Sequence, residues 1–132
     1  MFESKKMKIA EIDSIGQGLL ILKNAVDKNG GANAKLSYKV ARFNQKIGNV
    51  LTTVNEQKNE LIKKHGKEDK SGNVSIDPKD EKAQKLFLKE FTDLLEVEED
   101  VDVLSEKISI SEFGELNVPI EVFERLSDFI DD

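Results

Sequence analysis

From residue 36 onward the apolar side chains fall at Leu36, Val40, Phe43, Ile47, Val50 and Val54, and Gln57 and Leu61 continue the same register. The spacings run 4, 3, 4, 3, 4, 3 and 4, a heptad pattern that a long amphipathic helix satisfies and a strand does not. The pattern predicts a helix from Asn33 to His65. Lys63, Lys64 and His65 complement the negative end of its dipole, and Gly66 stops it. Such a helix spans roughly 50 Å at ~1.5 Å per residue, whereas a compact domain of this length has a diameter near ~36 Å. It must therefore protrude, bend near Gly48, or lie against a long helix of a partner chain.

The rest of the chain is built around it. Met7, Ile9 and Ile12 alternate with Lys8 and Glu11, which predicts a short strand after a frayed start over residues 1–6. Ser14 and Gln17 have the spacing of a capping box, so a first helix is expected from there to about Lys28, burying Ile15, Leu19, Leu22 and Val26, with Leu20 and Ile21 widening the stripe. Asn29-Gly30-Gly31 breaks it with a turn. Residues 67–76 are a polar loop. Asp77-Pro78 then predicts an N-cap and first helical position, with Ala83, Phe87, Phe91, Leu94 and Leu95 on the buried face and Leu86 alongside. Val97, Val101 and Val103, then Ile108 and Ile110, alternate with polar residues as one or two short strands. A last helix from about Val118-Pro119 would bury Ile120, Phe123, Leu126 and Ile130. The expectation is one α+β, mainly α domain over residues 1–132: a long heptad-patterned helix packed with two or three shorter helices and a small β-sheet.

The charge is divided between the halves of the chain. The formal net charge is −6, yet residues 1–66 hold twelve basic and six acidic side chains and residues 67–132 hold eight basic and twenty acidic ones. A division of this kind marks either a surface of one sign or two halves that fold onto each other. On the long helix Lys35, Lys39, Arg42 and Lys46 form a basic stripe beside the apolar seam, continued by the uncharged Asn49 and Thr53. It is suited to phosphate, to an acidic partner, or to this chain's own acidic half. The densest acidic stretch is Glu96, Glu98, Glu99, Asp100 and Asp102, with Asp131 and Asp132 at the end. It would imitate a phosphate backbone, ligate a divalent ion, or form the solvated face of an edge strand. Nucleic acid is not the expected partner, because the net field repels it and only Tyr38, with no Trp, is present beside seven Phe for stacking.

The loop after the long helix has one metal-like spacing. Asp69, Ser71, Asn73, Ser75, Asp77 and Asp80 stand at positions 1, 3, 5, 7, 9 and 12 of a calcium-loop register. Val74 occupies the position that needs glycine for a sharp turn, and Asp80 is shorter than the usual glutamate. A Ser-Gly-Asn turn followed by a well-capped helix accounts for the same residues, so no metal and no cofactor is expected. With no Cys and a single His, thiolate zinc sites, disulfides and multi-histidine hydrolase centres are excluded. There is no Gly-x-Ser-x-Gly elbow and no phosphate-binding Gly-x-x-x-x-Gly-Lys, and Gly16 and Gly18 form only a lone Gly-x-Gly. No apolar run approaches ~18 residues, so neither a membrane span nor a leader is expected.

The segments Leu36-Ser37-Tyr38-Lys39-Val40-Ala41-Arg42, Glu60-Leu61-Ile62-Lys63-Lys64-His65-Gly66, Asp69-Lys70-Ser71-Gly72-Asn73 and Phe91-Thr92-Asp93-Leu94-Leu95, with the acidic valine-rich strand and Ile108-Ser109-Ile110 after them, resemble a family of small uncharacterised proteins of tailed bacteriophages and prophages. The resemblance covers residues 36–130 and carries no catalytic residue. It implies a phage-encoded protein of the infected bacterium's cytoplasm, or of the virion. With the residue patterns it gives the expectation of a non-enzymatic protein that binds a phage or host protein, as an assembly or virion accessory factor, or pairs with itself through the long helix. The alternative expectation is an acidic inhibitor of a host nucleic-acid enzyme or defence system.

Overall fold

The computed structural model describes residues 1–28 and 33–131. The expected Asn29-Gly30-Gly31 turn lies outside the described residues, as does Asp132. The elements run β1 (Phe2–Lys8), α1 (Ile9–Lys28), α2 (Ala34–His65), β2 (Lys67–Glu68), β3 (Val74–Ser75), α3 (Glu81–Leu95), β4 (Glu98–Leu104), β5 (Ile108–Ser109), a 3-10 turn (Ile110–Phe113), α4 (Ile120–Arg125), a second 3-10 turn (Ser127–Phe129) and β6 (Ile130–Asp131). The fold is α+β and mainly α, organised on the long helix.

α2 forms where the heptad places it. The Asn33 side chain caps its start by accepting from the Leu36 N–H at 2.9 Å, and the Gly66 N–H closes its end on the Ile62 carbonyl at 2.6 Å. The helix is continuous across Gly48. Its first half packs along α1, and Leu36, Val40, Phe43 and Ile47 are buried with Ile12, Leu19 and Leu22 from α1. Phe43 is central. Its ring lies 5.1 Å from Phe129 in an edge-on arrangement and 6.3 Å from Phe2, the geometries aromatic quadrupoles favour. α4 closes the other side of α1, and a β-carbon on Gly18 would come within 2.9 Å of Arg125 Cβ and 3.0 Å of Leu126 Cγ. Glycine at this position lets the two helices meet.

The N-terminal residues are not frayed. β1 pairs antiparallel with β4 along its whole length, in the register Phe2–Leu104, Lys6–Asp100 and Lys8–Glu98. The strand stops at Lys8, and Ile9 and Ile12 belong to the buried face of α1. α1 therefore starts five residues before the expected capping box at Ser14. Glu11, inside its first turn, takes the Lys8 N–H at 3.4 Å, while Ser14 receives a hydrogen bond from Arg125 and Gln17 donates to Asp13. Leu20 is exposed.

Two further boundaries differ from expectation. Asp77 caps nothing helical; its carboxylate takes the Lys79 N–H in a tight turn, and Asp80 is the N-cap of α3 through the Ala83 N–H. The last helix is one short segment, Ile120–Arg125, followed by a 3-10 turn and β6. Ile120 is exposed, and Val122 and Phe129 take the buried positions with Leu126. β6 pairs in parallel with β5, Ile108 opposite Ile130.

Beyond Val54 the long helix leaves the core. Residues 55–60 are exposed, and the distal part of α2, the β2–β3 hairpin and α3 form an arm. Among the described residues, those of α3 reach half-burial and none full burial.

Candidate interaction surface

The basic stripe is largely spent within the chain. Lys39 is 5% exposed and its Nζ lies 3.2 Å from Glu112 Oε1. The other Glu112 oxygen accepts the Ser109 N–H at 2.9 Å, and Asn33 donates to the Glu112 carbonyl. Burial pushes the Glu112 carboxyl up, but the Ser109 N–H, Lys39 and Lys35 outweigh it and hold it below its ordinary value. Lys46 Nζ sits 3.3 Å from Asp102 Oδ2 and 5.7 Å above the Phe2 ring. Arg42 donates to Gln45 in its own helix, and Lys35 is exposed. The stripe joins the basic half of the chain to its acidic half. The heptad seam is used in the same way. Its buried stretch faces α1 and β4 of this chain, and a second copy cannot pair with it there.

The acidic stretch lies at the entrance to β4. Val101, Val103 and Leu104 are buried, Asp102 is half-buried, and Glu98, Glu99 and Asp100 are exposed. Glu96 is held 2.9 Å from Lys8, whose ammonium is raised above its usual value by the hydrogen bond and charge of Glu96. Lys8 also stands across the ribbon from Glu98, and Lys6 from Asp100; Met7 stands across from Glu99. The acids are thus unequal, and a uniformly negative strip is not what the ribbon presents.

The residues of the calcium-like spacing are not brought together. Asp69 accepts the Ser71 and Asn73 N–H groups at 2.8 and 3.0 Å, closing a hairpin turn at Gly72, whose φ is 84°. Ser75 belongs to β3, and Asp77 and Asp80 are each committed to a backbone N–H further on. Extended backbone at Val74 separates the two groups, and among the described residues no three acidic or histidine side chains converge as metal ligands. Gly66 is needed here for a close approach, since a β-carbon on it would press on the Ile62 and Ser75 carbonyls.

The arm carries the least satisfied surface. Phe87 and Phe91 stack with centroids 5.7 Å apart, and Lys58 of α2 covers Phe91 at 5.3 Å. Leu88 is 58% exposed beside Phe87, Gln84 and Ile76, and Leu86 and Val97 are also exposed. At the far end of α2 the Glu90 carboxylate clamps Lys64 Nζ at 2.8 Å and His65 Nε2 at 2.5 Å; Lys64 first and His65 second hold Glu90 below its ordinary value. Where the arm meets the ribbon there is a cleft of about 330 Å³ between α2, the end of α3 and the start of β4. Its floor is Ile9, Val50, Val54, Leu94 and Val97, and Asn49, Thr53, Gln57 and Glu99 stand around it.

Glu112 was not among the residues singled out from sequence, although Ser109-x-x-Glu112 has the spacing of a capping box. The cleft has no such local signal, because its walls come from segments about forty residues apart that only tertiary packing brings together.

Among the described residues no helix is long and apolar enough to cross a membrane. Compared with protein-family models, curated proteins and solved structures, the chain has no significant match.

Proposed function

We propose that this chain is a non-enzymatic protein–protein interaction module, encoded by a tailed phage and acting in the cytoplasm of the infected bacterium on the assembly of a virion component. The observation that carries the binding role is the arm. α3 has a well-separated apolar face, yet its own chain covers that face only by half and leaves Leu88 exposed at its edge, beside Phe87 and Ile76. An amphipathic helix normally obtains its stability by burying such a face, and a contiguous apolar surface with polar margins is the usual form of a protein contact. The phage origin is supported by the resemblance of residues 36–130. The absence from the sequence of a nucleophile elbow, a phosphate loop and a cysteine supports a non-enzymatic role.

The test is affinity capture of the tagged chain from infected cells, comparing the native sequence with Leu88→Glu. Loss of a virion protein from the captured set in the variant is the expected result. An identical captured set from both would overturn the arm as the contact.

The second reading, an acidic inhibitor of a host nucleic-acid enzyme or defence protein, is favoured by the exposed Glu98, Glu99 and Asp100. It predicts capture of a basic host protein that is released steeply as salt rises. Lys6 and Lys8 across the ribbon weaken this mimicry, and the arm is the better-supported surface.

A further inference from the structure

We infer that the cleft at the base of the arm is a receptor for an arginine side chain presented by the partner protein. The inference rests on the reading of the chain as a protein-binding module and adds the chemistry of what it binds. The floor is aliphatic, made by Ile9, Val50, Val54, Leu94 and Val97. Above it Asn49, Thr53 and Gln57 stand at i, i+4 and i+8 on one face of α2, about 6 Å apart along the axis. None of the three side chains has a hydrogen-bond partner among the described residues. Glu99 is the one acid of this stretch that lines the cleft. Glu98 and Asp100 have Lys8 and Lys6 opposite them, whereas Glu99 has Met7.

An occupant complementary to this arrangement has an apolar stem and a cationic head with several donors. Arginine matches on each count. Its methylene stem lies well on aliphatic surface. Its guanidinium is weakly hydrated and offers five N–H donors, enough for the Glu99 carboxylate together with the amide oxygens of Asn49 and Gln57. A carboxylate or phosphate group would be repelled by Glu99, and a purely aliphatic side chain would leave the carboxylate and amides desolvated without partners. The cleft volume, about 330 Å³, is at the small end of ligand pockets and suits one long side chain with its flanking backbone.

The experiment is a titration of the ¹⁵N-labelled full chain with the blocked tripeptide acetyl-Leu-Arg-Leu-amide, followed by amide chemical shifts. Citrulline, the neutral isostere, replaces arginine in the control peptide. The expected result is that the arginine peptide shifts the side-chain amides of Asn49 and Gln57 and the backbone at Val54 and Val97, with citrulline at least fivefold weaker. Glu99→Gln removes that discrimination, and Glu98→Gln preserves it. Absence of shifts at the cleft, equal binding of the two peptides, or an equal effect of Glu98→Gln would overturn the inference. So would a captured partner that Glu99→Gln retains at full strength, a result that leaves the module reading intact and separates the two failures.

Discussion

Lys39 Nζ lies 3.2 Å from Glu112 Oε1, so that a lysine 5% exposed on the long helix is neutralised by a carboxylate 73 residues further along the chain. The pair holds the start of α2 against the 3-10 turn after β5. Its value is asymmetric, because removing the carboxylate strands the more deeply buried lysine, whereas removing the lysine strands a carboxylate that is 20% exposed and keeps the Ser109 N–H. Glu112→Gln is expected to lower unfolding free energy by about 2–3 kcal/mol, and Lys39→Met by less than half of that. Urea denaturation of the two variants beside the native chain measures both.

The same carboxylate sets an acid limit. Its folded-state pKa is below the ordinary 4.5, so it contributes stability that is present above that value and is lost as pH falls through the folded pKa. Glu90, depressed by Lys64 and then His65, acts in the same direction. The urea midpoint should hold from neutral pH to about 5 and fall below about 4.5. In Glu112→Gln the acid limb should be shallower; an unchanged limb would remove Glu112 from the account.

Two glycines in long helices should respond in opposite directions to alanine. At Gly18 the new methyl meets Arg125 and Leu126, and α4 must move; the expected loss is about 1–3 kcal/mol. At Gly48 nothing lies within 4 Å of the added carbon, and the variant should gain about 0.5–1 kcal/mol by restricting the unfolded chain. Thermal unfolding of both reports the signs.

Hydrogen exchange should divide α2 into two. Amides before Val54 belong to the buried core and should exchange only through global unfolding, while those after it, with the amides of α3, should open at lower free energy. Uniform protection along α2 would show that the arm and core are one cooperative unit.

Calcium should leave the chain unchanged. Asp69, Asp77 and Asp80 each accept a backbone N–H in a different turn, and gathering them would break those bonds. The melting temperatures in millimolar calcium and in chelator should agree within about 1 °C.

The long helix was legible because every signal for it is local: a sustained 3–4 spacing, a closing lysine pair and a terminating glycine. The strand before α1 was not. Glu3-Ser4-Lys5-Lys6 shows no apolar alternation, and its pairing with β4 is decided by a partner on the far side of the chain. Asp77 and Asp80 are both plausible caps by type. Asp77-Pro78 is the stronger local pattern, but the path of the chain out of β3 leaves Asp80 at the helix start. The basic stripe was visible as a stripe; that Lys39 and Lys46 close on Glu112 and Asp102 depends on the packing of α2 against later elements. The charge division hinted at such closure without naming the pairs.

The ribbon of β1 and β4 also imposes an order of events on a ribosome. Phe2 finds Leu104 only after about a hundred further residues have been made, whereas α1 and α2 are neighbours and can associate early. During synthesis the first strand must wait unpaired beside an α1–α2 hairpin whose apolar side is still open, and the core becomes watertight only when β4 and the segment through Phe129 arrive. The three lysines of β1 keep that waiting strand soluble and poorly suited to pairing with a neighbouring nascent chain.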